Sequence, residues 1–286
     1  MRNLFLILII INFFIALDAQ ENIVYNGSFE EYCICPNNFH ADTFACDGWW
    51  SPNDATPDYY HKCMDNHTNS YYYYKSHYEP KTGNGYIGLA LIGVENFWME
   101  HIQSKLIEPL EAGKQYKVSF WVKLAYKYSD YAAYNIGLYF SKDSDIVGKK
   151  NNVSSYVRYI TPELRAHIKN QDGNFITDTN WVEISGIYTA QGGEQYVTIG
   201  MFWDGTPAVV EAHKKYKNKN TQYNKKLLSK AIKNNLLVEN PYIEKYKKME
   251  DQYIRSHSPY YYHYWDREKK NLYYFIDDVS VIELDE

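Results

Sequence analysis

Tyr116-Lys-Val-Ser-Phe-Trp-Val-Lys-Leu124 alternates apolar and polar positions without a break. In a strand, Tyr116, Val118, Phe120, Val122 and Leu124 share one face and Lys117, Ser119, Trp121 and Lys123 the other, which is the period-2 signature of a half-buried strand. Similar runs flank it. Tyr86 to Ile92 is almost wholly apolar, and Trp98 to Leu106 alternates. Asn135 to Phe140, Trp181 to Tyr188, Tyr196 to Trp203 and Tyr273 to Leu284 complete the series, and residues 22–30 are expected to supply a first strand and turn. Gln191-Gly-Gly193 predicts an antiparallel pair of the two runs beside it. Many short strands separated by Gly, Pro and Asn turns predict an all-β sandwich or barrel.

Two stretches break the pattern. Residues 31–85 carry Pro, Asn, Asp and Gly throughout and read mostly as loop. Residues 212–271 hold fifteen Lys and Arg against six Asp and Glu, in a chain whose net charge is −5. There, Tyr223, Leu227, Ala231 and Ile232 recur at helical spacing. Asn240-Pro241 offers a helix cap followed by Pro at the first helical position, ahead of Tyr242, Tyr246, Met249 and Tyr253. The expectation is a basic helical insertion before the last strand, with the sandwich formed by 20–211 and 272–286.

The first nineteen residues read as a secretory leader: Arg2 is followed by an apolar stretch from Leu4 to Leu17, too short for a comfortable span, and by the small Ala19. No later stretch is long and apolar enough to cross a bilayer. The expected address is the periplasm, the cell surface or the medium. Export makes disulfides the default for Cys33, Cys35, Cys46 and Cys63, with the pairing open. The overall negative charge argues against a general nucleic-acid binder. Aromatic residues make up 17% of the chain, with 31 Tyr, which suits strands and sugar-stacking surfaces alike.

A series of short motifs follows in a fixed order: Asn26-Gly-Ser-Phe-Glu-Glu31, Cys35-Pro36, Cys46-Asp-Gly-Trp49, Thr56-Pro-Asp-Tyr-Tyr-His61, Gly85-Tyr-Ile-Gly88, Glu100-His-Ile-Gln103, the 116–122 strand, Asn135 to Phe140, Trp181 to Gly186, Gly192 to Gly200, and Ile276-Asp-Asp-Val-Ser-Val281. Together they resemble the exported jelly-roll domain of Bacteroidetes-type bacteria, akin to carbohydrate-binding modules of galactose-binding-like fold and often found N-terminal to outer-membrane-protein-A-like domains. The basic insertion departs from that pattern. The resemblance implies a binding module, with a structural calcium where the first and last strands meet. Glu30 and Asp277, with Asp278 as an alternative, stand where its carboxylates belong; a hard cation wants several such oxygens.

A sugar site needs an aromatic platform and a few polar groups. The candidates are Trp49, Tyr59, Trp98, Trp121 and Trp203, with Trp50, Tyr60 and the Tyr71–Tyr74 run beside them. Trp121 stands out because it sits on the polar face of its strand. Asp58 and His61 form an Asp-x-x-His pair, which reads as a turn held by hydrogen bonds. There is no Gly-x-Ser-x-Gly elbow, no His-Glu-x-x-His and no phosphate loop. The expected function is non-catalytic binding of glycan or another envelope component. The alternatives are an adhesion protein that meets a protein partner through 212–271 and, further off, a glycan-active enzyme.

Overall fold

The computed structural model describes residues 20–36, 45–53, 55–66, 78–93, 99–127, 129–146, 160, 162–216, 223–246, 248 and 271–285. The leader, Trp98, the Tyr71–Tyr74 run, Met249 and Tyr253 lie outside them.

Two five-stranded antiparallel sheets make a sandwich. The first runs in the order β1 (Trp49–Trp50), β4 (Ile102–Lys105), β10 (Tyr196–Met201), β7 (Ile136–Ser141), β8 (Ile168–Lys169). The second runs β2 (Asp58–His61), β3 (Gly85–Gly93), β12 (Asn271–Glu283), β5 (Gln115–Leu124), β9 (Val182–Thr189). A two-stranded ribbon pairs β6 (Tyr131–Ala133) with β11 (Leu237–Glu239). The architecture is the expected all-β jelly-roll sandwich. Its single large core takes Val118, Phe120, Val122 and Leu124 from β5 and Ile102, Leu138, Phe140, Val197 and Ile199 from the facing sheet. Burial along β5 alternates as the sequence pattern requires.

Three expectations change. β9 and β10 do not form a hairpin: β9 pairs with β5, and β10 lies between β4 and β7 in the other sheet. The Gly192-Gly193 turn, with both glycines at positive φ, carries the chain across the sandwich. Residues 22–30 are not a regular strand. Asn22 clamps the last strand instead: its Oδ1 accepts from Val281 N at 2.9 Å, its Nδ2 donates to Val279 O at 2.9 Å, and Ile23 N donates to Val281 O at 3.0 Å. The loop-rich stretch before Gly85 also contributes β1 and β2 to the two sheets.

Within the insertion, α1 (Pro207–Tyr216) begins ahead of Ala212, and α2 (Tyr223–Lys233) packs against it. The chain then returns to the sandwich through β11. Asn240 fixes that return. Its Nδ2 donates to Tyr126 O and Ser129 O at 2.8 and 2.6 Å, and its Oδ1 accepts from Tyr242 N at 3.0 Å. The cap residue read from the sequence is thus also the anchor of the insertion.

Cys35 and Cys63 form a disulfide. The expectation of bridges at Cys33 and Cys46 is not met: both are thiols, Cys33 exposed and Cys46 buried. The local pairing explains this. Tyr32 stands opposite Cys46 in an antiparallel bridge, and Cys33 N donates to Ala45 O. Neighbouring positions on such a ladder point to opposite faces, so Cys33 and Cys46 face away from each other.

Candidate functional site

The expected seam exists and is built on the 81–85 turn. Glu30 Oε1 accepts from Asn84 N and Gly85 N at 2.6 and 2.8 Å, and Oε2 accepts from Asn84 Nδ2 at 3.0 Å. Asp277, fully buried, accepts from Lys81 N at 2.7 Å and Thr82 N at 3.4 Å through Oδ2, and from Asp278 N at 2.7 Å through Oδ1. Asp278, at a bulge with φ 46°, accepts from the Thr82 hydroxyl at 2.7 Å. As arranged, the Glu30 and Asp277 carboxylates are each turned onto three N–H donors, and no group of three His, Cys, Asp or Glu among the described residues is placed to hold a metal ion. That is not a coordination shell for calcium, which wants six to eight oxygens. A melting curve decides the matter. The amide-filled seam is expected to give the same Tm in EDTA as in millimolar calcium, and a clear rise with calcium would show that the carboxylates turn to take it.

Three of the proposed sugar-stacking rings have no open face. Tyr59 is fully buried and donates to Phe29 O at 2.8 Å. Trp49 is buried and donates from Nε1 to Asn26 O at 2.9 Å. Trp203 is buried at the end of β10. These rings pack the sandwich, as large aromatic groups on inner faces do. Trp121 is half-buried as its strand position suggested, but Lys81 Nζ lies 4.2 Å from its ring centroid and occupies one face. Around it the second face of the sheet carries a packed aromatic layer: Tyr60 stacks on Tyr86 at 5.0 Å, and Tyr78 meets Phe275 at 4.5 Å. Asp58 and His61 hold structure here: Asp58 accepts from the Tyr60 and Tyr273 hydroxyls, and His61 Nδ1 accepts from Cys63 N.

Among the described residues, two surface clefts bear on the site. One, of about 430 Å³, runs along the seam past Asn22, Asn26, Ser28, Glu30 and Asp278. It has no aromatic lining. The other, of about 380 Å³, lies at the rim where β7 and β8 of one sheet meet β9 of the other, and is lined by Tyr139, Phe140, His167, Tyr188, Gln191 and Glu194 among others. Four rings form its wall. Tyr139 stacks on His167 at 4.6 Å, His167 on Tyr188 at 4.8 Å, and Phe140 on Tyr188 at 4.7 Å. Tyr139 and His167 are half-buried, while Phe140 and Tyr188 continue into the core.

Backbone geometry explains why these residues meet. β9 alternation turns Tyr188 inwards at the strand end, and the β9–β10 connection brings Glu194 back over it. That connection is tied down on both sides: Leu110 N donates to Glu194 O, Gly193 N to Leu110 O, and Gln195 N to Ser141 O. Gly192 approaches Ala112 so closely that an added Cβ would lie 2.7 Å from the Ala112 methyl. His167 sits just before β8, where Nδ1 accepts from Phe140 N at 3.0 Å, so Nε2 carries the ring proton. Burial lowers the His167 pKa, with Glu194 pulling the other way.

Glu194 is the polar centre. Its Oε1 accepts from the Tyr188 hydroxyl and from Gln191 N, both at 2.8 Å. Burial alone would raise this carboxyl, but the hydroxyl and the turn amides outweigh it and hold it below its ordinary value. Tyr188 rises in turn, through burial and its bond to Glu194. Sequence reading passed over all four wall residues. Glu194 had a signal, an acid directly after Gly192-Gly193, but His167 and Tyr139 had none.

No protein-family model matches the chain, and no curated protein does. Among solved structures, the CBM22-1 xylan-binding domain of Paenibacillus barcinonensis Xyn10C is similar at 10% identity and a TM-score of 0.37, over 87% of this chain and 93% of that one. The K1 cleaved adhesin domain of Lys-gingipain from Porphyromonas gingivalis W83 gives 12% and 0.29 over 71% and 76%. A Stig cyclase, Fisc, from Fischerella sp. TAU gives 13% and 0.35 over 64% and 88%. Likenesses this slight decide nothing about function. The sandwich rests on the strand pairing, and the site on its own geometry.

Proposed function

We propose that this protein is an exported, non-catalytic binding module that takes glycan in the rim cleft. The observation that carries the reading is the pair of partly exposed rings at the cleft mouth, Tyr139 and His167, backed by the buried Tyr188 and Phe140 and set beside a buried carboxylate. Aromatic surface at a cleft mouth suits the C–H groups of a pyranose, and a few fixed polar groups beside it suit its hydroxyls. The seam cleft has polar groups and no ring, so it suits a sugar poorly. Export is supported by the apolar leader and by the Cys35–Cys63 disulfide, which belongs to an oxidising compartment. No helix among the described residues is long and apolar enough to cross a membrane.

A glycan array probed with the protein tests this. Binding is expected, and Tyr139→Ala should weaken it about tenfold. Tyr139 is half-buried on the outward side of β7, outside the main core though packed against Phe202, so the melting temperature of the variant is compared alongside its binding. Cleavage of the bound glycan would overturn the non-catalytic part of the reading.

A further inference from the structure

We propose that the rim cleft prefers glycans bearing a free, protonated amino group, which Glu194 Oε2 receives; this rests on the glycan-binding reading above. The reason is an unbalanced group. Glu194 is 3% exposed, and while Oε1 has two donors, Oε2 is buried and accepts no hydrogen bond among the described residues. The turn amides near it favour the anion without closing a bond to Oε2. Leaving a buried carboxylate oxygen without a donor is costly. A bound ligand that brings a donor recovers that cost.

The surroundings say which donor fits best. Among the described residues, the titratable groups lining the cleft are Glu194, Asp143, Asp145, Lys142, His167, Tyr139 and Tyr188. His167 accepts at Nδ1 and is held towards its neutral form by burial, and Tyr188 is already spent on Oε1. Asp145 is already engaged, which leaves the Glu194 and Asp143 carboxylates facing the ammonium of Lys142 among the described residues. A sugar hydroxyl supplies a donor, whereas an ammonium supplies a donor and the missing positive charge, and charge-assisted hydrogen bonds are roughly twice as strong as neutral ones. The ring wall then holds the pyranose behind the amine.

The test compares two oligomers that differ only at nitrogen: a glucosamine oligomer and its fully N-acetylated counterpart, titrated calorimetrically below the pH at which the amine loses its proton. The wild-type protein should bind the free amine about tenfold more tightly. Glu194→Gln should bring the two affinities within about twofold of each other while still binding the acetylated oligomer, which also reports that the variant is folded. Equal wild-type affinities would overturn the amine preference and leave the glycan reading standing, as would a preference that survives in Glu194→Gln. Failure of every glycan to bind would instead overturn the reading beneath it.

Discussion

Asn240→Ala should lower the melting temperature by about 5–15 °C. Asn240 is 2% exposed, and its side-chain amide bridges Tyr126 O and Ser129 O, two carbonyls from the segment that leads into β6. Removing it strips the shared donor from these carbonyls, at about 1–3 kcal/mol for each buried group left unsatisfied, and each kcal/mol moves Tm by roughly 2–4 °C in a chain of this size. The same residue caps the turn that follows, through Oδ1 and Tyr242 N. Asn240→Asp separates the two roles. It keeps the cap but turns a carboxylate onto two carbonyls, so it should be at least as destabilising as alanine. A near-native Tm for the aspartate variant would mean that the cap matters and the anchor does not.

Asp277 should contribute a stability that is lost as the pH rises from about 4 to about 8, and Asp277→Asn should take that loss out of the pH profile. Burial, with the neighbouring Asp278 charge, pushes the Asp277 carboxyl up to about 8 from 3.8, against the pull of the Lys81, Thr82 and Asp278 amides. A raised folded value means that the native state keeps a proton the unfolded chain has released. The contribution is therefore whole below about pH 4, shrinks as the unfolded chain ionises, and is gone above about pH 8. At about 1.4 kcal/mol per pH unit, the ceiling on that loss is about 6 kcal/mol. Asparagine stands in for the protonated acid. It also turns an amide donor towards one of the three N–H groups, so its absolute stability is lower, and the pH slope is the quantity to compare. Urea midpoints in EDTA across this range measure it. Parallel slopes in the two proteins would show that Asp277 is ionised throughout.

The fold was largely legible because strand faces are written in single residues. The alternation from Tyr116 to Leu124 gives both the strand and its buried side, and Asn240-Pro241 gives the cap. Pairing was less legible. A short glycine turn between two apolar runs looks alike whether it closes a hairpin or crosses between sheets, and only the partners of β9 and β10 tell these apart. Nor does sequence say whether a ring is exposed. Trp49, Tyr59 and Trp203 have the same side-chain chemistry as a sugar platform, but their neighbours bury them. The rim cleft could not be read because Tyr139, His167 and the Tyr188–Glu194 turn come from three separate stretches that meet only when the sheets close.

The most direct measurement is calorimetric titration of the protein and of its Tyr139→Ala variant with the strongest glycan from the array. The rim-cleft account requires saturable binding to the wild type, about tenfold weaker in Tyr139→Ala, with both proteins melting at similar temperatures. Undiminished binding in Tyr139→Ala, or no glycan binding by the wild type, would contradict it.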